Sequence, residues 1–250
     1  MDQASAFSFD MSYCGPPPLP SDLWTRWNFE PFLLIALVLT ALAGAGLLRR
    51  AEAGRKAGFG AAWLLAAVLF ISPLCALSVA LFSARVGHHV LLTMGVAPLL
   101  GLALPPRWGR DMGLLPPLIV SSVALWLWHT PDFYTAAFTH PGLYWAMQAS
   151  LAGSFTWLWL GLLRSRTPLA AGVTALSSAI QMGLLGALLV FAPAPLYLPH
   201  LGASAAFGLT PLDDQQLGGL IMWVPANLPL LALVLWRLLA VLGPRQEARE

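Results

Sequence analysis

Residues 169–191 read LAAGVTALSSAIQMGLLGALLVF, twenty-three positions without one Asp, Glu, Lys, Arg or His. A helix rises about 1.5 Å per residue, so about 20 apolar residues cross the hydrocarbon core of a bilayer. A spanning β-strand would instead alternate apolar and polar positions over about ten residues, and this run does not. The stretch reads as a membrane-spanning helix.

The same reading extends outward to six more apolar runs, 32–48, 59–82, 88–106, 113–130, 143–163 and 217–242. Across the chain 58% of residues are hydrophobic and 10% charged, with a mean hydropathy of +0.73. Soluble domains carry roughly 25% charged residues. The expected fold is all-α, a polytopic membrane bundle of seven transmembrane helices. Pro73, Pro98, Pro225 and Pro229 fall within or between the ends of these runs and read as kinks. Neighbouring helices in a bundle re-satisfy the carbonyls that proline frees.

Charge sets the orientation. RRAEAGRK follows the first run, RWGRD the third and RSRTP the fifth, and RLLAVLGPRQEARE closes the chain. With seven spans these segments share one side and hold eleven of the thirteen basic residues, leaving Arg26 and Arg85 on the other. Cytoplasmic loops carry such an excess, so the N-terminus is expected outside and the C-terminus in the cytoplasm. The expected organisation is an outer-face N-terminal tail over 1–31, the seven-helix domain over 32–243 and a cytoplasmic tail over 244–250. The first thirty residues lack the basic start and apolar core of a signal peptide, and Trp24 and Trp27 suit the membrane interface. A net charge of +2 leaves no nucleic-acid footprint.

The outer ends collect metal-ligand residue types: His88, His89, His129, His140 and His200, with Met11, Cys14, Asp132, Asp213 and Asp214. Imidazole suits copper, zinc and iron, while thiolate and thioether favour monovalent copper. His88 and His89 stand at the edge of the third run. Neighbours on a helix point about 100° apart, so one faces inward as a ligand and the other faces the headgroup region. Arg85 shares their face at i, i+3 and i+4. His129 closes the fourth run in LWLWHTPDF. The alternative at each position is a polar cap, and His140 in FTHPG and His200 in YLPHLG read first as turn residues. Cys14 in SYCGPPP, with Met11 three residues earlier, is a candidate soft ligand. Cys75 reads as a packing residue, although a Cys14–Cys75 disulfide stays open if that face is oxidising.

In TPLDDQQLGGLIMWVP, residues 210–225, Asp213 or Asp214 stands at the N-cap position. Gln215, Gly218, Gly219 and Met222 follow on one helical face, where glycines admit a close neighbour, expected to be the outer ends of the third and fourth runs. No run holds a carboxylate or lysine for a proton relay, and no outer segment pairs a nucleophile with a base. The chain is not expected to be an enzyme.

Three stretches, HHVLLTMGVAPLLGLALP, WLWHTPDFYTAAFTHPGLYWAMQ and DDQQLGGLIMWVP, resemble the multi-spanning CtaG family of cytochrome c oxidase assembly factors, linked to caa-type oxidases. YCGPPPLPSDLWTRWNFEP looks like the start of many members, and the resemblance covers nearly the whole chain in the same order. It implies an assembly factor of the bacterial cytoplasmic (inner) membrane that assists copper delivery or copper-centre formation at the outer face. Its implied partners are a heme–copper oxidase subunit and a periplasmic copper chaperone, besides the lipid bilayer. It carries over His89 with Met94, His129 with Pro131, and Asp214 through Trp223. That last stretch supplies a structural or partner face of Asp214, Gln215, Gln216, Gly218, Gly219, Met222 and Trp223. Together the residues and the resemblance give a copper ligand set of His89, His129, His88, Cys14 and Met11. Two positions depart from the family pattern: Arg85 stands where many members have the first histidine of H-M-x-x-H, and Gln148 where many have another. A copper-transport protein and a heme- or quinone-binding redox protein are the other readings, since paired histidines on facing helices also hold heme.

Overall fold

The structure, a computed structural model, describes residues 12–110 and 112–242. Met11 and the tail 244–250 lie outside the described residues. The helices are α1 (Pro31–Leu47), α2 (Ala53–Ile71), α3 (Leu74–Ala80), α4 (Phe82–Ala103), α5 (Leu115–His129), α6 (Pro131–Thr139), α7 (Pro141–Arg164), α8 (Pro168–Phe191), α9 (Pro211–Trp223) and α10 (Leu228–Leu242). Among the described residues there is no strand.

Four helical stretches are long and apolar enough to cross a membrane: α2, α4, α8 and Pro211–Leu242, which joins α9 to α10. The apolar helices α1 and α5 are shorter, at 17 and 15 residues. Large side chains such as Phe32, Ile35, Val38, Leu39 and Leu42 stay exposed along α1. Such a face suits lipid rather than water, because nothing in water would offset its exposure.

The prolines act in three different ways. Before Pro73 the second run breaks instead of kinking: α2 ends at Ile71, Ser72 is extended, and α3 starts separately. Proline clashes with an α-helical conformation in the residue before it. Pro98 stays inside α4, behind a π-helical turn over Leu91–Val96. Proline lacks the N–H that would close the preceding turn, and the indole of Trp159 donates to the freed Thr93 carbonyl at 3.0 Å. Pro225 separates α9 from α10 through a short 3₁₀ turn, while Pro229 sits in the first turn of α10, where its missing donor costs nothing.

Two run boundaries also move. The third helix begins at Phe82 rather than 88, so His88 and His89 lie two turns inside α4 and not at its mouth. The last begins at Pro211 rather than 217, which brings Asp213 and Asp214 into the helix. The expectation that the apolar helices hold no carboxylate therefore fails at Asp214, which is fully buried. The cause is local polarity: a window average drops at GHH and DDQQ, although the backbone stays helical through both.

Glycines fix the crossing of α8 and α9. A Cβ on Gly219 would sit 2.7 Å from the Gly186 carbonyl oxygen, and one on Gly186 would sit 2.8 Å from that of Gly219. A Cβ on Gly218 would meet the Phe82 ring at 2.7 Å. The close neighbours of α9 are therefore α4 and α8, not the fourth run as expected.

Three arginines, Arg55, Arg164 and Arg237, bond carbonyls at the far end from the histidines. Arg55 donates to the Ala103 carbonyl at 2.9 Å and Arg164 to that of Leu102 at 3.2 Å. Arg237 donates to the carbonyls of Leu162 and Ser165. Helix C-termini leave such carbonyls without partners, and a cation there also meets the negative end of the helix dipole.

Candidate functional site

The start of α4 is fixed from α9. The Asp214 carboxylate accepts from the Phe82 amide at 2.7 Å, from the Ser83 amide at 3.0 Å and from the Ser83 hydroxyl. It caps a helix other than its own. The N-cap of α9 is Thr210, closed by a capping box with Asp213, so neither aspartate takes the N-cap position expected of it.

With α4 set this way, His89 faces His129 of α5, the ring centroids 6.3 Å apart and each residue 6% exposed. The Nδ1 of His129 lies 2.7 Å from the Leu125 carbonyl. That contact places the proton on Nδ1 and leaves a lone pair on Nε2, the tautomer a metal ligand needs. The Tyr197 hydroxyl donates to the His129 carbonyl at 2.9 Å and pins the end of α5. Across the site, the Gln148 amide nitrogen of α7 stands 3.4 Å from Nε2 of His89.

His88 corrects the expectation that it faces the headgroup region. It is 2% exposed, and its ring packs edge-on against Phe70 at 5.1 Å. The two histidines do diverge, but α2 covers the side where lipid headgroups were expected.

Cys14 needs a second correction. It forms a disulfide with Cys75, the Cα atoms 5.5 Å apart, so it presents no thiolate. The bond closes a 61-residue separation and straps the tail to α3. By chain entropy such a loop contributes up to about 4 kcal/mol. Tyr13 then stacks on Tyr144 at 4.8 Å and meets Trp145 at 5.1 Å, which lays the tail over the N-terminal end of α7.

The remaining histidines stand apart. His140 bonds the Ala136 carbonyl and the Thr139 hydroxyl at the end of α6, as a turn residue does. His200 is buried, its Nδ1 3.3 Å from the Ala80 carbonyl and its Nε2 bonded to the Tyr134 hydroxyl. Burial, and after it the Arg85 charge, pushes its pKa down to about 3, so the ring stays neutral and accepts from the phenol. Among the described residues no three His, Cys, Asp or Glu side chains group as a metal cluster. The site is a pair of imidazoles with an amide beside it.

Of the α9 face, Asp214, Gln215, Gly218, Gly219 and Met222 are buried inside the bundle. Gln215 donates to the Leu189 carbonyl and accepts from the Leu196 amide at 2.7 Å. These buried residues hold α4, α8 and the loop after α8 together. Gln216 is half-buried, and Trp223 is 40% exposed. Sequence reasoning missed the Tyr134–His200 pair and the placement of Gln148. Tyr134 and His200 are separated by 66 residues, and no local pattern joins them.

A family model described as cytochrome c oxidase caa3 assembly factor matches residues 33–112 and 114–242. No curated protein and no solved structure matches the chain.

Proposed function

The chain belongs to the family of cytochrome c oxidase caa3 assembly factors, and from that premise we propose that it assists copper-centre formation on an oxidase subunit at the outer face of the bacterial inner membrane. The observation that carries the copper reading is the His89–His129 pair, with the His129 tautomer set by Leu125. Two imidazoles bound through single nitrogens at about 2 Å reach across such a centroid distance. His89 and His129 would hold the ion, and copper would supply the metal that the oxidase centre needs. The chain's own work is placement. Leu125 keeps the proton on the Nδ1 of His129, the Gln148 amide N–H rests against Nε2 of His89, and Asp214 sets the register of α4. A periplasmic copper chaperone is the proposed donor and the oxidase subunit the proposed acceptor, with no reaction catalysed by this chain.

The proposed topology has seven spans, α1, α2, α4, α5, α7, α8 and α9–α10, with the N-terminus outside. The Cys14–Cys75 disulfide supports an oxidising compartment at the histidine end. The basic segments at the opposite end support a cytoplasmic face there. Reporter fusions within 51–56, RWGRD and RSRTP should signal cytoplasm, and fusions in FTHPG or before Asp213 should signal the outside. An outside signal from 51–56 overturns the orientation.

Deleting the gene should lower active copper-containing oxidase under copper limitation while heme synthesis continues, with partial rescue by added copper. Oxidase activity equal to the parent strain's under copper limitation would count against the reading.

A further inference from the structure

Arg85 lies one turn outward from the histidine pair on α4. It is 2% exposed, and its guanidinium sits among the rings of Tyr134, Phe138 and Tyr144, at 5.0, 5.1 and 5.7 Å from their centroids. Aromatic rings attract the flat face of a guanidinium, but its N–H groups point outward in its plane and still require acceptors. Nε and Nη2 of Arg85 are buried with no hydrogen-bond partner. The buried carboxylate of Asp214 is not free to pair with it, because it spends both oxygens on Phe82 and Ser83. A buried cation left in this state is costly.

Nε–H and Nη2–H are the two parallel donors of one edge of the guanidinium fork. That edge binds a carboxylate through two hydrogen bonds at once. We propose that Arg85 is the receptor for a small planar anion of the carboxylate class, seated edge-on against Nε and Nη2. The three rings decide for a planar ligand over a tetrahedral one. They surround the guanidinium at 5.0–5.7 Å, and a carboxylate paired edge-on lies in its plane, whereas a phosphate or sulfate carries out-of-plane oxygens that would press against the rings. Two further unpartnered polar atoms lie one turn deeper. They are Nε2 of His88, three residues on from Arg85 in α4, and Oε1 of Gln148, four on from Tyr144 in α7. Unpartnered polar atoms therefore continue from Arg85 toward His89. The anion deepens the copper reading and rests on it in one respect: a negative group on Arg85 offsets the positive charge that a cation at His89 and His129 would otherwise face. The anion site itself needs no metal.

The test uses the purified full-length protein, copper-free, in detergent at constant ionic strength, with formate and acetate as probes. Thermal unfolding should shift upward saturably with formate and acetate. Sulfate and inorganic phosphate should give no saturable shift. Arg85→Lys keeps the charge but loses the paired edge, and its apparent formate affinity should fall by at least tenfold. Arg85→Met should show no formate response. If either variant fails to fold, the contrast between formate and phosphate on the parent protein still decides. An absent formate response, one matched by phosphate, or one unchanged in Arg85→Lys overturns the proposal and leaves Arg85 as a cation held by its rings alone. Copper binding is measured separately on the same preparation. Formate binding without copper binding would defeat the copper reading and leave the anion site standing, and the reverse result would do the opposite.

Discussion

Asp214→Ala is expected to destabilise the fold strongly. The substitution strands the Phe82 amide, the Ser83 amide and the Ser83 hydroxyl in a region where Asp214 itself is 0% exposed. Each buried donor left without an acceptor costs about 1–3 kcal/mol. Together they take a large share of a typical stability of about 5–15 kcal/mol. The damage is directed, because the first turn of α4 carries Arg85 and sets the register of His88 and His89. Asp214→Asn keeps one acceptor oxygen but turns an NH₂ group toward a donor, so it should fall between the parent and the alanine variant. Thermal unfolding of the purified protein in detergent checks this, and a drop of about 10 °C is expected for Asp214→Ala. If Asp214→Ala melts within a degree or two of the parent, the carboxylate does not hold α4.

The second large effect concerns the proposed copper site. His89→Ala and His129→Ala should each lower copper affinity by more than about 100-fold, since a two-imidazole site has no spare ligand and even outer-shell partners are worth about 10–100-fold. His88→Ala should be milder, and His140→Ala and His200→Ala should leave copper binding unchanged, because both rings are engaged elsewhere. Anaerobic titration with monovalent copper against a competing chelator reads the series, with inserted protein measured in parallel. Parental affinity in His89→Ala would remove the metal reading and leave the histidines as buried polar packing.

The membrane helices were legible because hydropathy is local. LAAGVTALSSAIQMGLLGALLVF needs no neighbours to declare itself, and α8 runs over Pro168–Phe191 in the structure. The glycines of DDQQLGG announced a close approach, and they make one. His89 and His129 were legible as a pair, since consecutive antiparallel apolar runs bring the start of one beside the end of the next. Where helices start was not legible. Window averages fall at polar residues, so GHH and DDQQ looked like ends although the backbone continues through them.

What the sequence by itself determined is the all-helical, membrane-length character of the chain, its family, and the end at which histidines collect. The tertiary structure alone decided which groups meet. Asp214 caps Phe82 across 132 residues, Cys14 pairs with Cys75 across 61, and Gln148 reaches His89 across 59. The physical reason is range. Burial preference acts residue by residue and leaves a periodic trace along the chain. A hydrogen bond is satisfied by any acceptor within about 3 Å, from whichever helix supplies it, and so leaves no trace in the local sequence.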